Sequence, residues 1–599
     1  MYVTAYENTA SLGSTEYVFP ELQATLTIFN FGLRNIIAIA NGQRKIIEPN
    51  DSENFKHVNS VFLEALQGSQ RFRLEGRKQV EQLVAGTVDS VARETLASIG
   101  DSIDALKNSF VDVGNYPSLQ TAIDDAKAKG KYVNLNNRIV TISADVKIKD
   151  VKVANGTIRF TSQASVVMQG LNPMLESVKI DSQTFGSGSR GHVELVDTNG
   201  AILKDVVIVG TNSGKAIYCK TRAHNTYISN VKVEGDIAWG ILFNDSEKIQ
   251  GDGFRTVDGI NYNDGPIGEG LFVDNFEFGK GLNNRTGDGL EINCPDFGFN
   301  KIRVTNSIVH KANLSSSTGI GFGFAKCKDV RLTTCSAYNC QLDGFHFEKG
   351  SEHILVGCYS NGCSRAVSVT HTRSTKIVNS IFVNSEYWLV CYNNGTSAYN
   401  PDGFITMEDF TLENCTFDGA SLYGVLIGNA KHIKILNNMF RNYNGSASTG
   451  VLQFYNVSGT TSTVTDSEIR NNRFIKGTGT TNPTNIIALL NSSSGNIVEN
   501  NKFEGYSSSS VTLDKTTNRY LSNRNKGTFV STGDGVFTSV TIPHGLGELP
   551  AYYVVQPSNN GSGTAGVKYV ANDSTNLTVY FNNPPANGVS VGLRWYAEV

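Results

Sequence analysis

Charge is scarce in this sequence. Only 18 % of its 599 residues are Asp, Glu, Lys or Arg, and the formal net charge is -3. A duplex binder needs a basic surface, so nothing here calls for nucleic acid as a partner. Long apolar runs are missing as well: no stretch approaches 18 apolar residues, which argues against membrane insertion. The first residues, "MYVTAYENTASLGSTEYVFPE", lack a basic segment followed by an apolar one, and no signal peptide is expected from them. Proline is sparse, at 13, and there is no CxxC, which speaks against a zinc knuckle. The nine cysteines all lie mid-chain, between Cys219 and Cys415. Cys335 and Cys358 are related by a shift of 23 residues, and so are Cys340 and Cys363. Free thiols stacked inside a repeat are the expectation, consistent with synthesis in a reducing cytoplasm.

What is present is repetition. From about residue 140 the chain returns to a unit reading small, apolar, variable, apolar, variable. Instances are "AIYCK" from Ala216, "GILFN" from Gly240, "GLEIN" from Gly289, "GFGFA" from Gly321, "GFHFE" from Gly344, "AVSVT" from Ala366, "GVLIG" from Gly424 and "GVLQF" from Gly450. Period-two alternation marks short strands with one buried face. A second unit, Asn-x-x-Phe, recurs as "NSIF" from Asn379, "NCTF" from Asn414, "NNMF" from Asn437, "NNRF" from Asn471 and "NNKF" from Asn500. Asn tolerates the left-handed backbone of a sharp bend, its side chains can bond along a column, and the aligned Phe residues should stack inside. Short strands, bend residues and a repeat near 23 predict a right-handed parallel β-helix, a solenoid; the LxxLxL signature of a leucine-rich horseshoe is absent.

The flanks differ from the coil. Residues 1–56 alternate and read as a small β domain. Residues 57–112 read as a helical neck, with three-four spacing from Val80 to Phe110; a helical hairpin and an intermolecular coiled coil both fit. The coil is expected over 113–524. Leu119, Ala122, Ile123 and Ala126 form one helical stripe within 117–129, a helix suited to plugging the exposed first rung. Residues 525–599, with "PHGLGELP" and "VGLRWYAEV", read as a small antiparallel β module for trimerisation or carbohydrate binding.

This layout resembles that of bacteriophage tailspikes and tail appendages. The resemblance rests on the order of the parts, on "FVDVGNYPSLQTAIDDA…GKYVNL" leading into the coil, and on "GDGLEINCPDFGFN", "GIGFGFAKCKDV" and "DGFHFEKGSEHI" within it. The last three are similar to appendages of phages of Gram-positive bacteria, some of which cut teichoic acids. The resemblance implies a pectate-lyase-like β-helix, a homotrimer, a place in the virion tail, attachment to tail or baseplate proteins through the N-terminus, and action on a bacterial surface glycan or teichoic acid.

Aligning the strands locates the chemistry. With Gly289, Gly321, Gly344 and Ala366 in one column, an outward column holds Glu291, Gly323, His346 and Ser368. The next holds Asn293, Ala325, Glu348 and Thr370, while Asp288 and Asp343 lie just ahead of the strands. Rungs stack at roughly 4.8 Å, so the Glu291 and His346 rungs are about 10 Å apart at the backbone. The rung between them is bare, and the notch it leaves overlaps the carboxylate separations of inverting and retaining glycoside hydrolases. For a phosphodiester the same notch offers a His acid or base and carboxylates as base or metal ligands. The candidate catalytic residues are therefore Asp288, Glu291, Asp343, His346 and Glu348. Candidate substrate-binding residues are Arg255, Arg285, Asn293, Lys326 and Lys349, since cations suit an anionic polymer.

Plainer explanations compete. Asp before Gly is a common turn residue, Glu291 and His346 can belong to an exposed polar ladder, and Glu348 can pair with Lys326 or Lys349. Trp239, Trp388 and Tyr392 suit sugar stacking or core packing equally. No pattern calls for a cofactor; a divalent cation held near Asp258, Asp264, Glu269 and Asp274 stays open, without EF-hand spacing. Two functions remain: a hydrolase that depolymerises the surface polymer, and a receptor-binding fibre that only grips it.

Overall fold

The computed structural model describes strands within residues 2–78 and the chain from 109 to 599. Left out of the latter are 183–189, 211–213, 220, 245–255, 258–259, 262–267, 280–286, 295–298, 311, 313–318, 393–406, 446–449, 455–463, 478–482, 490–492, 507–509, 513–517 and 547. Two units are distinguished, Met1–Lys107 and Asn108–Val599. In the first, six strands form an antiparallel sheet. Two of them, Ser52–Ala65 and Gln70–Lys78, run through the segment expected to begin a helical neck at 57. The expectation fails there because the segment finds an antiparallel partner in Gly13–Asn30, a distant pairing that overrides the helical spacing of Val58, Val61, Phe62 and Ala65. The expected neck also fails at its end, where Phe110–Asp112 is a strand paired in parallel with Tyr132–Asn134, and its remainder, 66–69 and 79–108, lies outside the described residues.

The second unit is a right-handed parallel β-helix whose turns have three faces. One turn runs Asp343–Glu348, Ile354–Val356, Tyr359–Asn361 and returns to the first face at Arg365–Thr370. Each strand pairs in parallel with its equivalent one turn on. The first face is a continuous sheet from Val146–Lys149 to Ser510–Thr512. Corners are turned by residues in the left-handed region, mostly Asn: Asn306, Asn339, Asn379, Asn414, Asn437 and Asn471 have φ of 51 to 58°.

The coil interior explains the two sequence units. Phe382, Phe417, Phe440, Phe474 and Phe503 stack with centroids 5.0, 5.1, 4.9 and 5.3 Å apart. The paired Asn residues divide their work. The first of each pair takes the left-handed bend, while the second is buried in a ladder: Asn438 donates to Asn472, Asn472 to Asn501 and Asn501 to Asn523, side chain to side chain, at 3.0 Å at each step. Each also donates to a main-chain carbonyl, so the buried amides are paid for in hydrogen bonds. Small residues, Gly240, Gly289, Gly321, Gly344 and Ala366, open the successive first-face strands around the site because the next rung's backbone is close; a Cβ on Gly321 would lie 2.6 Å from the Gly344 carbonyl oxygen. All nine cysteines are buried and unbridged, and Cys335 and Cys358 contact each other across the 23-residue repeat.

The coil's ends are closed differently. At the N-terminal end the helix Leu119–Ala128 buries Leu119, Ala122, Ile123 and Ala126, and Ser118 caps it by accepting from the Thr121 N–H at 3.1 Å. At the other end Arg524–Thr532 pairs in parallel with the last rung, Lys502–Glu504, and then antiparallel with Ser590–Glu598. An antiparallel module thus grows directly from the coil's final edge on that face. Among the described residues no helix is long and apolar enough to cross a membrane.

Candidate active site

The observed register is the one the repeats dictate. Glu291 pairs with Gly323, Gly323 with His346, and His346 with Ser368; Asn293, Ala325, Glu348 and Thr370 form the adjacent column. Alternation along each strand points these side chains out of the coil, opposite Phe322, Phe324, Phe345 and Phe347 in the core. The outward face is nonetheless far from bare: Tyr218, Leu242, Ser368 and Val390, all in the Glu291 column, are buried. The exposed ladder considered from sequence is therefore not what stands here.

Two walls face each other across the rung bearing Gly323 and Ala325. On one side Asp288, 3 % exposed, accepts from the Ile320 N–H at 2.6 Å and shares a side-chain hydrogen bond with Glu291. Burial raises the Asp288 pKa, against the hydrogen bonds with the Ile320 N–H and with Glu291, which lower it. On the other side His346 donates from Nδ1 to Asp343 Oδ2 at 2.6 Å and turns Nε2 toward Glu348 Oε2 at 3.5 Å. Burial alone would lower the His346 pKa, but the Asp343 and Glu348 carboxylates outweigh it and raise the pKa to about 9. Glu348 is pulled down to about 2 by its bond to His346, with Lys349 Nζ adding a contact at 2.7 Å to its other oxygen. At neutral pH this wall is an imidazolium held at both nitrogens. His346 keeps 16 % of its side chain exposed, so the cation is reachable.

Neither Asp is a simple turn residue. Asp343 is fully buried and its carboxylate is occupied by His346 and by Arg365, whose Nε and Nη2 both donate to it. Arg365 was missed in the sequence, although the same alignment places it one rung beyond Asp343 in the same column. Asn293 lies beside Glu291 with its Oδ1 buried and unpartnered among the described residues, as is Ser368 Oγ. Lys326 and Lys349 occupy equivalent corners, both left-handed with φ of 58 and 50°. Arg255 and Arg285 lie outside the described residues, as do Asp258 and Asp264. Glu269 pairs with Lys301 at 2.9 Å, and Asp274 accepts from Asn306 at 2.9 Å, so both are engaged on the coil surface. Trp388 is a fully buried core residue packed against Phe417, Phe440 and Tyr443, which removes it from the sugar-stacking candidates; Trp239 packs over Gly287, beside Asp288. No group of three or more His, Cys, Asp or Glu among the described residues is arranged as a metal site.

No protein-family model and no curated protein sequence matches the chain. Among solved structures the architecture is that of β-helical proteins. The chain is similar to the tailspike gp49 of Pseudomonas phage LKA1, at 11 % identity and a TM-score of 0.30, covering 100 % of this chain and 82 % of that one. The tailspike gp61 of Pseudomonas phage phi297 is similar at 11 % identity and a TM-score of 0.31, with the same coverage. The A-module of the mannuronan C-5 epimerase AlgE6 from Azotobacter vinelandii gives 13 % and 0.38, over 68 % of this chain and 97 % of that one. At these identities the likeness concerns the fold.

Proposed function

We propose that this protein is a tailspike hydrolase that recognises and depolymerises a bacterial surface polymer in the notch over Gly323. One observation carries the reading: a hydrogen-bonded carboxyl pair, Asp288 and Glu291, faces an imidazolium bonded to Asp343 and near Glu348 across a rung without side-chain bulk. The division of labour follows from protonation. His346, charged at neutral pH, is unsuited to accept a proton and acts as donor to the leaving oxygen. Glu291, backed by Asp288, accepts the proton of an attacking water, so the bond to the leaving oxygen breaks as water's oxygen takes its place. A glycosidic bond of a capsule or O-antigen and a phosphodiester of a teichoic acid both fit that scheme. Attachment to the tail through the N-terminal β domain, residues 1–56, and assembly as a homotrimer complete the reading.

The test is Glu291→Gln, which keeps a hydrogen bond to Asp288 while removing the acceptor. Turnover should fall about 100- to 10,000-fold with an unchanged Tm. A destabilised protein, or one that still cleaves, would make Glu291 structural.

A further inference from the structure

Arg365 has no counterpart among the residues that the repeats single out, yet it makes the most directional contact in the site. Its guanidinium lies 23 % exposed, reaches back one rung, and donates through Nε and Nη2 to the two oxygens of a carboxylate that is itself 0 % exposed. That fork fixes the carboxylate plane, because a two-pronged guanidinium bond fits only one orientation. The same carboxylate is the only one that His346 Nδ1 bonds, at 2.6 Å, whereas the contact at Nε2 is loose at 3.5 Å. The ring's orientation is thus set from the Nδ1 side, through Asp343, by a residue that does not touch the notch.

We infer that Arg365 is a positioning residue for His346: it pins Asp343, and through Asp343 it fixes the imidazole, whose Nε2 faces Glu348, beside the Gly323 rung. Positioning matters because a displacement near 1 Å at a proton donor costs about 100-fold in rate. The inference rests on the hydrolase reading only for its catalytic consequence; the coupling between Arg365 and His346 stands without it.

Two substitutions in the full chain test it. Arg365→Lys keeps the charge and loses the fork; Arg365→Met loses both. His346 is followed by deuterium exchange at its imidazole C2 against pH, read by mass spectrometry on its peptide. Arg365 and His346 share Asp343, so removing the guanidinium leaves the carboxylate to the imidazole alone. Arg365→Met should therefore raise the His346 titration above that of wild type, and Arg365→Lys should leave it in place. With a polymer that wild type cleaves, both variants should lose about 10- to 100-fold in kcat with KM little changed. An unmoved His346 titration in Arg365→Met, or full kcat in Arg365→Lys, would reduce Arg365 to a structural ion pair. If Arg365→Met does not fold, Arg365→Lys with intact Tm and lowered kcat still carries the claim. A wild type that cleaves no polymer sinks the hydrolase reading instead, and the exchange measurement still decides whether Arg365 acts on His346.

Discussion

Replacing His346 with Gln should make the protein's stability lose its dependence on mildly alkaline pH. His346 is raised from 6.5 to about 9 by the Asp343 and Glu348 carboxylates, against the opposing effect of burial. A group whose folded pKa is raised binds its proton more tightly in the native state, so its contribution is fully present below about 6.5. It is lost as pH rises through about 9. A displacement of that size corresponds to about 3 kcal/mol. The depressed pKa of Glu348 arises largely from the same imidazolium, so it is not added a second time. Urea unfolding of wild type and His346→Gln at pH 6 and pH 10 measures this directly. The difference between the two proteins should shrink by about 3 kcal/mol from the lower to the higher pH, and other groups that titrate in that range cancel in the comparison. A difference that does not change with pH would show that His346 is not held as an imidazolium, and the assignment of a proton donor would fall with it.

Two further substitutions probe the notch and its scaffold. Gly323→Ala places a methyl 3.2 Å from Ile320 Cγ2 and 3.7 Å from Glu291 Cγ, a fit that a small shift of Ile320 absorbs. The variant should fold with wild-type Tm yet raise KM about 10-fold by narrowing the gap; unchanged kinetics would place the polymer elsewhere. Asn472→Ala removes side-chain bonds with the Asn438 N–H and Nδ2, the Ile435 carbonyl and Asn501 Oδ1, all between 2.8 and 3.0 Å. It should cost about 3 to 4 kcal/mol in urea unfolding, and a loss below 1 kcal/mol would mean that the ladder is dispensable.

The first face of the coil was legible in sequence because its strands repeat a small residue followed by alternating apolar ones, and that pattern admits one register. Glu291, Gly323 and His346 align for this reason, and so do the stacked Phe side chains. The cap helix was legible because four apolar residues fall on one stripe. The strands at 52–65 and 70–78 were not, since antiparallel pairing with a distant segment decides them and local spacing does not. Arg365 escaped because its role depends on a side chain reaching back one rung, a direction that column alignment does not contain. Asp288 and Asp343 stood in the sequence as candidate catalytic residues that a turn before Gly could also explain; burial, which sequence does not give, makes them partners of Glu291 and of His346 with Arg365.

The central claim, that the notch over Gly323 cuts a surface polymer, is tested most directly by incubating the full chain with capsule, O-antigen and teichoic-acid polymers and analysing the products by mass spectrometry. The account predicts discrete oligomers from one polymer class, with one water added per cut, and none from Glu291→Gln. Binding without shortening would contradict it and leave the notch as a grip, and an unsaturated new end would replace hydrolysis with elimination.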